Sequence, residues 1–257
     1  MRITTWNVNG LRAAIRKGFA KYVDFLQPDV LLLQEVRALP EQLPAEWQEP
    51  EGWSVYWNPA KKKGYSGTAV LAREPFVVAD IGLGPRDSDD DGRVIEVSMG
   101  RLRIATVYLP SGASSAGRQE QKERWMRRFR LWATRRLQHD GPFIVGGDLN
   151  IARTERDLFY AKSNEMTSGF LPHERQWMNR LVASGWHDFV REHAGDVDGP
   201  YSWWSNRGRA RELDRGWRID YLLGNTRAAE LFRSAHTHRK AALEASDHAP
   251  VSIDLDL

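Results

Sequence analysis

Phe143-Ile144-Val145-Gly146-Gly147-Asp148-Leu149-Asn150 joins a short apolar run to two glycines and then to an acid and an amide. The apolar part reads as a buried strand, and the polar pair falls where that strand ends. The same grammar recurs: Val30-Leu31-Leu32-Leu33 runs into Gln34-Glu35, and the strand-like start of the chain runs into Trp6-Asn7-Val8-Asn9-Gly10. Further strands are expected at Thr68-Ala69-Val70-Leu71, Val94 to Met99 and Ile104-Ala105-Thr106-Val107. Helical patterns lie between them. From Gln119 to Leu137, Trp125, Phe129 and Trp132 recur at helical spacing while Arg124, Arg127, Arg128, Arg130, Arg135 and Arg136 fill other positions, which predicts an amphipathic, basic helix with its aromatic stripe in the core. Pro172 suits a first helical turn, and Trp177 and Leu181 share one face of the helix it opens. Strands interleaved with helices indicate an α/β architecture, whose strand ends line a shared crevice where ligands bind.

The 257 residues, 41% hydrophobic and 11% aromatic, supply a sizeable core and exclude a disordered or fibrous chain. No long Pro/Gly/Ser linker or repeat interrupts them, so residues 1–257 are expected to form one domain. The balance of 37 Lys and Arg against 34 Asp and Glu permits a polyanionic partner without demanding one. The absence of cysteine excludes disulfides and thiolate metal sites. With no apolar signal core and no run of membrane-spanning length, a soluble, cytoplasmic protein is expected.

Two more polar clusters join the strand-end groups: Asp220 inside Arg218-Ile219-Asp220-Tyr221-Leu222, and Ser246-Asp247-His248 near the C-terminus. Hard oxygen donors with few histidines point to Mg²⁺ or Mn²⁺ rather than zinc. Each residue also has a plainer reading. Asp148 and Asn150 are common turn formers after a strand, and Glu35 fits a surface acid. Asp220 is harder to dismiss, because its apolar neighbours bury it and a buried carboxylate needs a partner. A lone His248 reads as an ordinary hydrogen-bonded histidine, but next to Asp247 and with Asp220 available it can be held as an imidazolium by a carboxylate. The acidic run Asp87-Ser88-Asp89-Asp90-Asp91-Gly92 reads as a solvated turn.

Taken in order, Trp6-Asn7-Val8-Asn9-Gly10-Leu11-Arg12-Ala13, Leu33-Gln34-Glu35, Val107-Tyr108-Leu109-Pro110, Gly147-Asp148-Leu149-Asn150-Ile151-Ala152, Trp217-Arg218-Ile219-Asp220-Tyr221 and Ser246-Asp247-His248-Ala249-Pro250 resemble the motif set of the exonuclease III/AP (abasic-site) endonuclease family along the whole chain. The resemblance implies a four-layer α/β sandwich, two packed mixed β-sheets flanked by helices. It implies a Mg²⁺-dependent DNA-repair phosphodiesterase, with Mn²⁺ as substitute, cutting at abasic sites or removing nucleotides from 3′ ends. On this likeness Glu35 is the main metal ligand, with Asn7 and Asn9 beside it. Asp148 orients or deprotonates the attacking water, and Asn150 and Tyr108 hold phosphate oxygens. His248, paired with Asp220, donates to the scissile phosphate, while Asp247 supports the metal or the leaving group. Asn9 stands where some members carry Asp.

The wider superfamily includes inositol and lipid phosphatases, so the substrate must be read elsewhere. Lys61-Lys62-Lys63-Gly64-Tyr65-Ser66-Gly67, Arg118 to Arg136 and Asn206-Arg207-Gly208-Arg209-Ala210-Arg211 are basic stretches that suit a phosphate backbone, although most such runs are merely solvated. Phe170-Leu171-Pro172-His173-Glu174-Arg175-Gln176-Trp177 and Tyr201-Ser202-Trp203-Trp204 resemble the repair enzymes rather than the phosphatases. That likeness implies a small pocket of Trp203, Trp217 and Ile219 for a base-free deoxyribose, with Arg118, Asn164 and Thr167 on the DNA backbone. The expected partner is therefore double-stranded DNA with abasic sites or 3′ ends, bound by a monomer and away from any membrane. The competing readings are an inositol- or lipid-phosphate hydrolase of the same fold and a non-catalytic DNA-binding module.

Overall fold

The computed structural model describes residues 1–84 and 87–257, apart from the side chains of residues 242 and 243. Its strands are β1 (Arg2–Asn7), β2 (Val30–Gln34), β3 (Ser54–Asn58), β4 (Thr68–Ala72), β5 (Val77–Ile81), β6 (Val94–Met99), β7 (Leu102–Tyr108), β8 (Phe143–Asp148), β9 (His187–Asp188), β10 (Asp220–Gly224), β11 (Phe232–Thr237) and β12 (Val251–Leu255). The helices are α1 (Leu11–Arg16), α2 (Phe19–Leu26), α3 (Ala45–Gln48), α4 (Ala116–Arg136), α5 (Pro172–Ala183), α6 (Phe189–Ala194), α7 (Thr226–Ala229) and α8 (Arg239–Glu244). The strands form two six-stranded sheets, ordered β11-β12-β1-β2-β4-β3 and β5-β6-β7-β8-β10-β9. Only β1 with β2 and β7 with β8 run parallel, so both sheets are mixed.

Side-chain alternation builds the layers. Val30 and Leu32 of β2 face Ile95, Ile104, Ile144 and Leu222 of the other sheet. Leu31 and Leu33, one residue out of phase, pack outward on Leu11, Phe19, Tyr22 and Val23 of α1 and α2. In the second sheet Ala105, Val107, Phe143 and Val145 turn outward onto α4 and α5. A strand covered on both faces must be apolar at every position, which is why these runs do not alternate in polarity. The result is helix, sheet, sheet, helix: the four-layer α/β sandwich.

Helix α4 starts three residues before Gln119, where the Ser115 hydroxyl accepts from the Arg118 amide and caps the first turn. Its aromatic stripe is core as expected, with Trp125 on Phe129 and Phe129 on Trp132 at centroid separations of 5.2 and 5.3 Å. One cation of the basic run departs from the expected solvated face: Lys122, three residues before Trp125, lies on the buried face. Two others are tied down at the surface, Arg128 to Asp87 and Arg136 to Asp80 and Glu96. The acidic turn differs too, because Asp89 is buried and accepts from the amides of Arg93 and Val94.

Arg218 precedes β10 with its guanidinium enclosed between Asp157 at 2.6 Å and Asp188 at 2.8 Å. Replacement by Met strips buried Asp188 of its guanidinium and leaves Asp157 with Arg191 alone, and is expected to destabilise the fold by ~3–5 kcal/mol. Denaturant unfolding checks this, and a loss under ~1 kcal/mol would show that the pair is solvated. Burial pushes the Asp157 carboxyl up, but Arg218 and Arg191 override it and bring it down to about 2. Because that value lies below the unfolded ~3.9, the stabilisation is present above pH ~4 and is lost as pH falls through about 2.

Candidate active site

Strand register sets the groups side by side. Asn7 lies opposite Gln34 at the end of β1 and β2. In the other sheet Tyr108 lies opposite Asp148, and Asp148 opposite Asp220. The two rows meet where the Asn7 amide donates to Glu35 Oε1 and to Asp148 Oδ2, both at 2.9 Å. Three of the loop residues that follow, Asn9, Glu35 and Asn150, adopt left-handed backbone with φ of 46°, 52° and 50°. Asn tolerates this conformation, whereas at Glu35 it costs on the order of 1 kcal/mol, held by the surrounding structure.

A cavity of about 370 Å³ opens above these ends. Asn9, Glu35, Tyr108, Asp148, Asn150, Thr167, Trp203, Trp217, Ile219, Asp247 and His248 line it, so most of the residues named from the sequence converge here. Asn7 lies beneath it and Asp220 behind His248, both fully buried. Arg118 does not line the cavity but donates to the Tyr65 hydroxyl at 3.1 Å. Asn164 also stands apart, on a short turn where it donates to the Tyr160 carbonyl. Four supporting residues were assigned no role from the sequence, although Ser202 and Ser246 lie within quoted stretches. Arg37 ion-pairs with Glu35. Ser202 donates to Asp220 Oδ2 at 2.6 Å. Ser246 donates to the Asn7 carbonyl. Gly169 presses against Trp217, so closely that an added Cβ would lie 3.2 Å from the ring.

Electrostatics separate the ionisable groups into roles. His248 Nδ1 bonds Asp220 at 2.9 Å and its Nε2 faces Asp148 at 3.9 Å. Burial lowers the His248 pKa, yet Asp220 first, then Asp148 and Asp247, outweigh it and raise it to about 10. The surrounding carboxylates thus favour the imidazolium form. Asp148 is pushed up to about 7, by burial first and then by Asp220. Asp247 goes the other way: burial raises it, but His248, Trp203 and Asn9 together hold it below the usual carboxylate range. Tyr108 is pushed well up by burial, Glu35 and Asp148, and stays a phenol that can donate.

Glu35, Asp148 and His248 bring possible ligand atoms within 4.8 Å of one another, so this buried cluster can hold a metal ion. Carboxylate and amide oxygens suit a hard divalent cation.

Buried carboxylates, amides and an imidazole, gathered where two sheets meet, are a group set suited to a metal ion and a phosphoester. The chain belongs to the Endonuclease/Exonuclease/phosphatase family, whose family model matches residues 4–248. It is 36% identical to an exodeoxyribonuclease of Bacillus subtilis (strain 168), with 100% of both chains covered. It is 33% identical to a DNA-(apurinic or apyrimidinic site) endonuclease of Dictyostelium discoideum, over 100% of this chain and 71% of that one. The fold is similar to the solved 3′-5′ exonuclease (NExo) of Neisseria meningitidis, with a TM-score of 0.90, 29% identity and full coverage of both chains. Among the described residues no helix is long and apolar enough to cross a membrane.

Proposed function

We propose that this chain is a DNA-repair phosphodiesterase that hydrolyses double-stranded DNA at abasic sites and from 3′ ends, with Mg²⁺ as its metal and Mn²⁺ as substitute. The carrying observation is the single cavity that holds acid, amide, imidazolium and two tryptophan edges together. Names of the relatives favour DNA over an inositol or lipid phosphate. Glu35, with Asn7, Asn9 and Asp247 around it, would hold the metal, which when bound neutralises charge on the phosphate oxygens. Asp148 takes a proton from the attacking water as the water oxygen bonds to phosphorus; the opposite bridging P–O bond breaks, and the departing alkoxide takes up a proton from solvent. Asn150 and Tyr108 hold the non-bridging oxygens, and the His248 imidazolium donates to the developing charge. Trp203 and Trp217, both half-buried, and Ile219 wall the part of the cavity suited to a base-free sugar.

An assay offering abasic duplex, recessed 3′ duplex, single-stranded DNA and an inositol phosphate tests the reading. Cleavage confined to the inositol phosphate would overturn it. Activity is expected to vanish in excess EDTA and return with Mg²⁺ or Mn²⁺, and Glu35→Ala should raise the metal concentration required. Full activity in EDTA would sink the metal assignment. Trp217→Ala is expected to lower kcat/KM on an abasic-analogue duplex ~5- to 150-fold, from ~1–3 kcal/mol of lost packing against the extruded sugar. Cleavage of a recessed 3′ end should fall less. An equal fall on both substrates would make Trp217 a packing residue.

A further inference from the structure

Lys122 and Glu174 are both fully buried, and their ion pair spans α4 and α5 at 2.6 Å. Desolvating two charges costs several kcal/mol per ion, and apolar replacement of such a pair is often neutral, so stability alone is a weak reason for it. Its other contacts all lead to the active cavity. Lys122 Nζ donates to the Asn150 carbonyl at 2.9 Å, directly behind the residue whose side-chain amide bonds Asp148. Glu174 Oε2 accepts from the amides of Gly169 at 2.6 Å and Leu171 at 3.1 Å. Glu174 Oε1 accepts from the Gln119 amide at 3.0 Å, and Gln119 Oε1 in turn accepts from the Ser168 hydroxyl at 2.7 Å. Gly112 packs so tightly here that a Cβ on it would overlap the Gln119 amide.

Two segments beside the cavity, the turn at Asn150 and residues 169–171, therefore bond the buried pair directly, and the stretch around Gly112 packs on its partner Gln119. Each leads on to the site. A shift of the Asn150 backbone, already left-handed, would carry the side chain off Asp148. A shift of Gly169 meets the Trp217 ring and the Asn150 carbonyl, 3.2 and 3.1 Å from where its Cβ would stand. Neither Lys122 nor Glu174 lines the cavity.

We propose that Lys122 and Glu174 are positioning residues, whose buried pair fixes from behind the Asn150 turn and the wall against Trp217 in the geometry that hydrolysis needs. This inference rests on the nuclease reading above. The pair supplies direction where an apolar contact would not: four donors point at two carboxylate oxygens, so loop and helix cannot slide without losing a bond. Misplacement of reacting groups by about 1 Å costs up to ~10²-fold in rate, so the effect should appear in turnover.

The test compares Lys122→Met, Glu174→Gln, the double variant and Lys122→Arg on an abasic duplex, with thermal unfolding alongside. The singles leave a lone charge or face donors with an amide. The double variant removes both charges and, with one amide oxygen still accepting from Gly169 and Leu171, is the one expected to fold. Its kcat should fall ~10- to 100-fold with KM within ~3-fold, and Lys122→Arg, which keeps both donor contacts, should recover most of the wild-type kcat. Gln119→Ala, at the half-buried rim of the network, should lower kcat in the same sense and by less, and it decides the matter if the double variant unfolds. Wild-type kcat in a folded double variant or in Gln119→Ala, or a change confined to KM, overturns the inference. Wild-type protein inactive on every DNA substrate overturns the nuclease reading instead.

Discussion

Asp148→Asn is expected to lower kcat by ~10²-fold or more while the affinity for DNA changes only a few-fold. Asp148 contributes a carboxylate that an amide cannot replace. Three donors already surround it: the Asn150 amide nitrogen on Oδ1, and the Asn7 and Asn150 side chains on Oδ2. They fix the plane of the group while leaving lone pairs toward the cavity. Burial and the nearby Asp220 raise its pKa to about 7, close to working pH, where a group can both hold and release a proton. Asn has nearly the same volume and can still accept from the Asn150 amide, but its NH2 then faces the Asn7 and Asn150 side-chain donors, which must turn aside, while the phosphate keeps its contacts from Tyr108 and His248. What is lost is proton acceptance from water, and a hundredfold corresponds to about 2.7 kcal/mol of barrier. Single-turnover rates, with DNA affinity measured in EDTA, separate the two quantities. A parallel loss of affinity and rate would make Asp148 a structural group, and a fall of less than tenfold would place the base elsewhere.

How much of this was legible follows from which contacts are local. The strand ends at Asn7, Gln34 and Asp148 could be read because an apolar run stops at each, and in a parallel-paired sheet that end is also the crevice. Likewise the stripe of α4 is a period within one element. The partners were not legible. Ser202 reaches Asp220 across 18 residues and Ser246 reaches Asn7 across 239, and no periodicity links them. Arg37 is only two residues from Glu35, but their pairing depends on left-handed backbone at both, which neither side chain advertises. Lys122 failed for a different reason. Among so many arginines it reads as one more surface cation, and only the position of Glu174 on another helix reveals why it turns inward.

His248→Asn is expected to lower kcat by a comparable factor, ~10²-fold, because it removes a charged donor from a dry site. The argument rests on the state of the ring. Asp220 is fully buried, bonded through Oδ2 to both Ser202 and His248 Nδ1, and cannot turn away to another partner among the described residues. Its charge is the largest of the causes that raise the His248 pKa, against burial, to about 10. That lies above the unfolded value of ~6.5, so the stabilisation from the charged pair is complete below pH ~6.5 and is lost as pH rises through about 10. Catalysis by the imidazolium should follow the same sign: present at neutral pH and falling on the alkaline side. Asp220→Asn keeps the shape but removes the charge, which should bring the alkaline limb of the kcat profile down toward neutrality. At pH 6 that variant should then come close to wild type measured at the same pH, where protonation of Asp148 lowers both, whereas His248→Asn should stay below wild type at every pH. An alkaline limb at the same pH in wild type and Asp220→Asn would show that His248 acts as a neutral group or that another residue sets the limb.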